Sequence, residues 1–239
     1  MTSLDRQEST PARVALAWGV HAFTASGAIV GTVALLAIAS GDFRSAVLLM
    51  LVALIIDAVD GTLARRVEVE RVLPSIDGRR LDDIVDYFNY VAVPAVFLVA
   101  SGALSHWGWV SLPVLASAYG FSQASAKTDD DFFLGFPSYW NVIAIYVWLL
   151  DVSPGFATSV IALFTALVFV PLKYIYPSKM RVLKRTTAAL AIGCMALVTY
   201  AVLNPDRTES RVFVWISLAF PAYYLVLSFY LGGLHRASR

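Results

Sequence analysis

Two aspartates, Asp57 and Asp60, interrupt the apolar run LLMLVALIIDAVDG. If that run spans a membrane, each acid costs roughly 2.5–3.5 kcal/mol to insert near the helix centre, so such residues are retained for function. They stand at i and i+3, on one helix face. Gly61 follows without a side chain, so a ligand can approach the backbone. The next helix is predicted to open at Asp77-Gly78-Arg79-Arg80-Leu81-Asp82-Asp83-Ile84-Val85-Asp86. Asp82 and Asp86, at i and i+4, share a face with Gly78, and Asp83 is turned about 100° away from Asp82. Two acidic pairs on successive helices, near one membrane face, can converge.

Converging carboxylates repel, and either take up protons or gather cations. Oxygen ligands with no Cys or His nearby suit Mg²⁺ or Mn²⁺ rather than zinc. Bridging carboxylates can hold two such ions, an arrangement that serves displacement at phosphorus. The residues therefore point to a metal centre handling a phosphorylated ligand at the membrane surface. The plainer alternatives are structural salt bridges to Arg65, Arg66, Arg79 and Arg80, or an ion pathway.

The elements that must position these acids are membrane helices. Of 239 residues, 59% are apolar and 15% charged, with a mean hydropathy of +0.70; soluble domains carry about 25% charged residues. Apolar stretches at 14–39, 44–65, 82–104, 107–125, 138–151, 156–174, 183–203 and 212–234 predict about eight transmembrane helices in an all-α integral membrane protein. With both termini cytoplasmic, fifteen of the eighteen basic residues fall on the inner side, and only Arg44, Arg207 and Arg211 on the outer. Residues 1–12 read as a polar cytoplasmic tail without the features of a secretory signal. No linker divides the chain, so 1–239 is expected to form one domain. The lone Cys194 reads as helix packing, and His21, His106 and His235 are too scattered for a zinc site.

The acidic pattern resembles the signature of the CDP-alcohol phosphotransferase family, D-x2-D-G-x2-A-R followed by G-x3-D-x3-D. Asp57, Asp60, Gly61, Ala64, Arg65, Gly78, Asp82 and Asp86 meet it, across a spacer running from Arg66 to Asp77. Segments 20–31, 73–95 and 127–141 resemble the bacterial branch of that family that uses choline. The resemblance implies two divalent ions, Mn²⁺ or Mg²⁺. Asp57, Asp60 and Asp82 would hold one, and Asp57, Asp82 and Asp86 the other. It further implies that the ions bind the diphosphate of CDP-diacylglycerol, and that Asp86 takes the proton from the attacking alcohol as CMP departs. Gly61, Ala64 and Gly78 would leave room for the nucleotide. Arg65 would meet a phosphate or a structural carboxylate, and His21 and Thr24 of the first span would lie near the nucleotide. The implied setting is the bacterial inner membrane with the site facing the cytoplasm. Membrane lipids, CDP-diacylglycerol and choline are the expected partners, with no nucleic acid, and a homodimer is among the arrangements such proteins adopt.

A quaternary ammonium donates no N–H bonds and is recognised by aromatic faces. Asn89, Tyr90, Tyr139 and Trp140 are the expected choline contacts, and Phe133, Phe136, Tyr174 and Tyr176 fall at similar depth; Tyr and Trp also gather at interfaces simply as anchors. Asp129, Asp130 and Asp131 would add a field favouring a cation, or lie solvated. Lys179 and Arg181, within the basic loop 173–185, would bind the donor lipid's phosphate or attract anionic lipid generally. A sibling transferase acting on serine, inositol or glycerol phosphate stays open, Arg79, Arg80 and Lys127 being available to an anionic acceptor. A transporter is the alternative of a different class, disfavoured by the lack of ionisable groups in the outer halves of the helices.

Overall fold

A computed structural model describes residues 10–123, 126–128, 130–180 and 182–233. Helix α1 (Pro11–Ala39) starts on a proline whose missing N–H would have had no partner in the first turn. Helix α2 (Phe43–Val67) is capped by Asp42, whose carboxylate accepts from the Ser45 amide at 3.0 Å. It stops at Glu68, which takes the left-handed conformation and leads into the short α3 (Val69–Val72). Asp77 caps α4 (Gly78–Tyr87) by accepting from the Arg80 amide at 3.0 Å. The rod then runs through a π-helical turn, Phe88–Ala92, into α5 (Val93–Ala100).

A 3-10 turn at Trp107–Val110 opens α6 (Ser111–Ser122). Strand β1 (Phe132–Leu134), α7 (Trp140–Leu149), α8 (Pro154–Phe169) and β2 (Lys173–Ile175) follow. The chain closes with α9 (Lys184–Leu203), α10 (Thr208–Ser217) and α11 (Ala219–Leu231). Among the described residues, five rods are long and apolar enough to cross a membrane: Pro11–Ala39, Phe43–Val67, Gly78–Ala100, Lys184–Leu203 and Thr208–Leu231. The other three expected spans contain shorter helices. The ten residues of α7 rise only about 15 Å, half of a hydrocarbon core near 30 Å.

The bundle is apolar outside as well as inside. Ile29, Leu36, Ile192 and Val226 stand exposed on the outer surface, as side chains facing lipid do, whereas Val47, Val93, Phe97, Trp140 and Ala144 fill the centre. The chain is an all-α membrane protein with one small addition. β1 and β2 pair antiparallel, with Phe133 opposite Tyr174, and Lys127 bridges back to Phe133.

That sheet corrects the expected helix over 156–174. Pro171 disfavours helical backbone at the residue before it, so α8 ends at Phe169 and Val170 is extended (φ −84°, ψ 125°). The segment before α7 is tied down in turn. The Gly135 amide donates to the Leu172 carbonyl at 2.9 Å and that of Phe136 to Leu167 at 3.0 Å. Gly135 has φ +81°, and a Cβ there would collide with the Val168 carbonyl. Only glycine fits this crossing.

α1 packs closely against the acidic rod because it presents glycines there. A Cβ on Gly27 would lie 2.8 Å from Val85 Cγ1, and one on Gly31 would strike Phe88 and Asn89. This Gly-x3-Gly spacing lets two membrane helices approach at backbone distance. Asn89 uses the closeness, its side-chain amide donating to the Gly27 carbonyl at 3.0 Å.

Candidate active site

α2 carries Asp57 and Asp60, and α4 carries Asp82 and Asp86. Oxygens of Asp57, Asp82 and Asp86 lie within 4.8 Å of one another. Asp60 stands apart from this trio, 4% exposed, facing Thr24 of α1. Among the described residues, no Lys or Arg forms an ion pair with any of the four acids. Arg65 instead donates to Thr62 Oγ1 at 3.2 Å, and Arg80 leans 4.0 Å from its own helix cap, Asp77. The salt-bridge alternative therefore finds no support in the geometry. The donor set fits a hard divalent cation, being three half-buried carboxylates from two rigid helices with no sulfur or nitrogen among them.

The trio opens into a cavity of about 270 Å³. Asp57, Asp82, Asp83 and Asp86 line it, with Arg79 and Lys127. Tyr90, Phe133, Phe136, Tyr139 and Tyr176 give it an aromatic wall. Tyr90 and Tyr139 have ring centroids 5.8 Å apart, and Phe133 and Tyr176 lie at 4.4 Å. The Lys127 ammonium hangs 5.8 Å from the Tyr176 ring centroid. Burial pushes the Tyr176 phenol above its ordinary value, which keeps it neutral.

The sheet carries the aromatic wall and is fastened by charge. Lys173 donates to Asp130 at 2.6 Å, and Lys179 stands 3.8 Å from Asp131. The Lys173 hydrogen bond holds the Asp130 carboxyl below the usual carboxylate range. Lys127 forms no such pair among the described residues. This cation at the acids was legible only as one of several inner-face charges, since its loop meets Tyr176 across 49 positions of chain.

The expected acceptor residues divide. Tyr90 and Tyr139 line the cavity. Asn89 does not; it turns toward α1 and is spent on Gly27. Trp140 does not either; it is 1% exposed, and its indole N–H donates to Ser117 Oγ at 2.7 Å. The expected donor-side residues gather elsewhere. His21 is buried with Nε2 unpartnered, and a Cβ on Gly78 would lie 3.0 Å from its ring. Thr24 sits beside Asp60, and Gly61 beside the Arg65 guanidinium. Ala64 packs into a small apolar cluster with Ala17, Val20, Val69 and Val72. Lys179 is taken up by Asp131 and the Tyr176 ring. Arg181 and Asp129 lie outside the described residues.

Fold and site together define a helical membrane protein with a carboxylate centre of metal-binding type, open to an aromatic-walled cavity. No family model matches the sequence. Curated relatives do. The chain is 42% identical over 224 residues to a phosphatidylcholine synthase of Legionella pneumophila, covering 90% of this chain and 88% of the relative. It is 36% identical over 222 residues to that of Borreliella burgdorferi, covering 90% and 94%. It is 38% identical over 234 residues to that of Bradyrhizobium diazoefficiens, covering 95% and 85%. The chain belongs to the phosphatidylcholine synthase family of enzymes.

Proposed function

We propose that this protein transfers the phosphatidyl group of CDP-diacylglycerol to choline, forming phosphatidylcholine and CMP. The observation that carries the reading is the trio of Asp57, Asp82 and Asp86, within 4.8 Å, without a basic partner among the described residues, against an aromatic wall. That these relatives are phosphatidylcholine synthases supports choline as acceptor. Asp57, Asp82 and Asp86 would hold divalent metal, Mn²⁺ or Mg²⁺, with Asp60 completing a second position. When bound, such ions neutralise the diphosphate and the charge that develops at phosphorus.

The chain's own groups do the rest. Arg79 and Lys127, cations that line the cavity with the acids, meet the donor's diphosphate. The faces of Tyr90, Tyr139 and Tyr176 receive the trimethylammonium group, each contact contributing roughly 0.5–2 kcal/mol. Asp86 accepts the choline hydroxyl proton. The hydroxyl oxygen forms a new bond to the phosphatidyl phosphorus. The bond from that phosphorus to the bridging oxygen breaks, and its electron pair leaves with CMP. The helices sit in the bilayer as a single unit, with both ends and the acidic face on the cytoplasmic side of the inner membrane. The bias of basic residues supports this orientation.

The test is CMP release by the purified protein with CDP-diacylglycerol and Mn²⁺, comparing choline with serine, inositol and glycerol phosphate. Release with choline alone is expected. Release only with another alcohol would overturn the acceptor and leave the metal chemistry standing, whereas silence with all four would end the transferase reading.

A further inference from the structure

We infer that Tyr90 is a positioning residue whose hydroxyl fixes the Asp57 carboxylate for divalent-metal binding, an inference that rests on reading the acidic trio as a metal centre. The Tyr90 hydroxyl donates to Asp57 Oδ2 at 2.6 Å, the length of a charge-assisted bond. Among the described residues it is the one side-chain hydrogen bond to the trio that comes from a group other than a carboxylate. Tyr90 is 5% exposed, so the hydroxyl has little water to turn to, and its ring is held against Tyr139.

The backbone explains how it gets there. Tyr90 lies in the middle of the π-helical turn Phe88–Ala92, which interrupts the rod directly after Asp86. In a regular α-helix, residues at i+4 and i+8 from Asp82 would drift progressively around the axis in one direction. The wider π turn unwinds that drift and returns Tyr90 toward the face of the acids. The same turn leaves Asn89 facing α1, where it bonds Gly27. Such single π turns recur at functional sites. One residue position thus locks the rod to α1, and its neighbour reaches across to α2 and holds a ligand.

A carboxylate that accepts from a tyrosine keeps its second oxygen for an ion and loses the freedom to rotate away. Removing a partner of this kind from a metal ligand typically weakens metal affinity by roughly 10- to 100-fold. The Tyr90 ring and its hydroxyl therefore serve different ends, the ring facing the acceptor and the hydroxyl facing Asp57, and Tyr90→Phe separates them.

The experiment titrates Mn²⁺ alone into the wild-type chain, Tyr90→Phe and Asp57→Asn in detergent, reading free Mn²⁺ by electron paramagnetic resonance. The KM for choline is then measured at saturating Mn²⁺. Tyr90→Phe is expected to raise the Mn²⁺ Kd at least about tenfold, with CMP release recovering as Mn²⁺ is raised and Asp57→Asn marking full loss. An unchanged Mn²⁺ Kd in Tyr90→Phe overturns the inference while the metal centre stands. So does a raised choline KM with intact Mn²⁺ affinity, which would assign the hydroxyl to the acceptor. A wild-type chain that binds no Mn²⁺ refutes the metal centre itself, and the inference with it.

Discussion

Replacing Gly31 by alanine tests the approach of α1 to the acidic rod without touching any acid. The new methyl would sit 2.7 Å and 2.9 Å from two carbons of the Phe88 ring, and against the Asn89 side-chain oxygen. Favourable carbon contacts begin near 3.5 Å, so the ring or the helix must give by most of an ångström. Asn89 cannot step aside cheaply, being 5% exposed and already bonded to Gly27. Overpacking of this kind costs about 1–3 kcal/mol. Gly19→Ala is the matched control, since a Cβ there meets nothing within 4 Å on the same helix. Both substitutions gain the helix propensity of alanine, up to about 1 kcal/mol, so their difference isolates the clash. At about 2–4 °C per kcal/mol for a chain of this size, Gly31→Ala should melt about 2–12 °C below Gly19→Ala in detergent, read by tryptophan fluorescence or differential scanning. Equal melting temperatures for the two variants would mean that α1 and the rod are not packed as described.

Three further outcomes concern the site. Asp86→Asn should lower the rate of CMP release by about 10²–10⁴, the share general-base catalysis typically supplies, while the purified variant still binds CDP-diacylglycerol; near-normal turnover would remove Asp86 from the base role. Lys127→Met should raise the KM for CDP-diacylglycerol and leave that for choline unchanged, whereas Lys179→Met, whose charge is already spent on Asp131, should do neither. An unchanged donor KM in Lys127→Met would break the link to the diphosphate. Gly135→Ala should lower both melting temperature and activity, because φ +81° and the Val168 carbonyl together exclude a side chain; full activity there would mean that the crossing before α7 does not shape the cavity.

The acids were legible because a charge in an apolar run is costly to insert, and because i, i+3 and i, i+4 spacings translate directly into faces. The same arithmetic put Tyr90 beside Asp86. It could not foresee that Asp60 would stand outside the trio, beside Thr24 of a third helix. Asn89, about 100° round the helix from Tyr90, belonged to another face by that arithmetic, and α1 takes it up through Gly27. Trp140 was expected among the choline contacts on its aromatic type. Burial decided otherwise, since its indole N–H found Ser117 in the middle of the bundle.

The sheet escaped for a different reason. Three-residue strands carry no period to detect, and their partners lie some forty positions apart. Yet the signals that make them necessary are local: Pro171 ends α8, and Gly135 supplies a conformation that other residues rarely hold. What those two residues accomplish only a folded chain reveals. They bring the loop of Lys127 and Phe133 against Tyr176, so that a wall of aromatic faces and one cation closes over carboxylates set on the opposite helices. A donor rich in phosphate and an acceptor bearing a permanent positive charge need opposite surroundings within a few ångströms. The acidic helices alone can offer only half of that, and the pinned loop offers the other half.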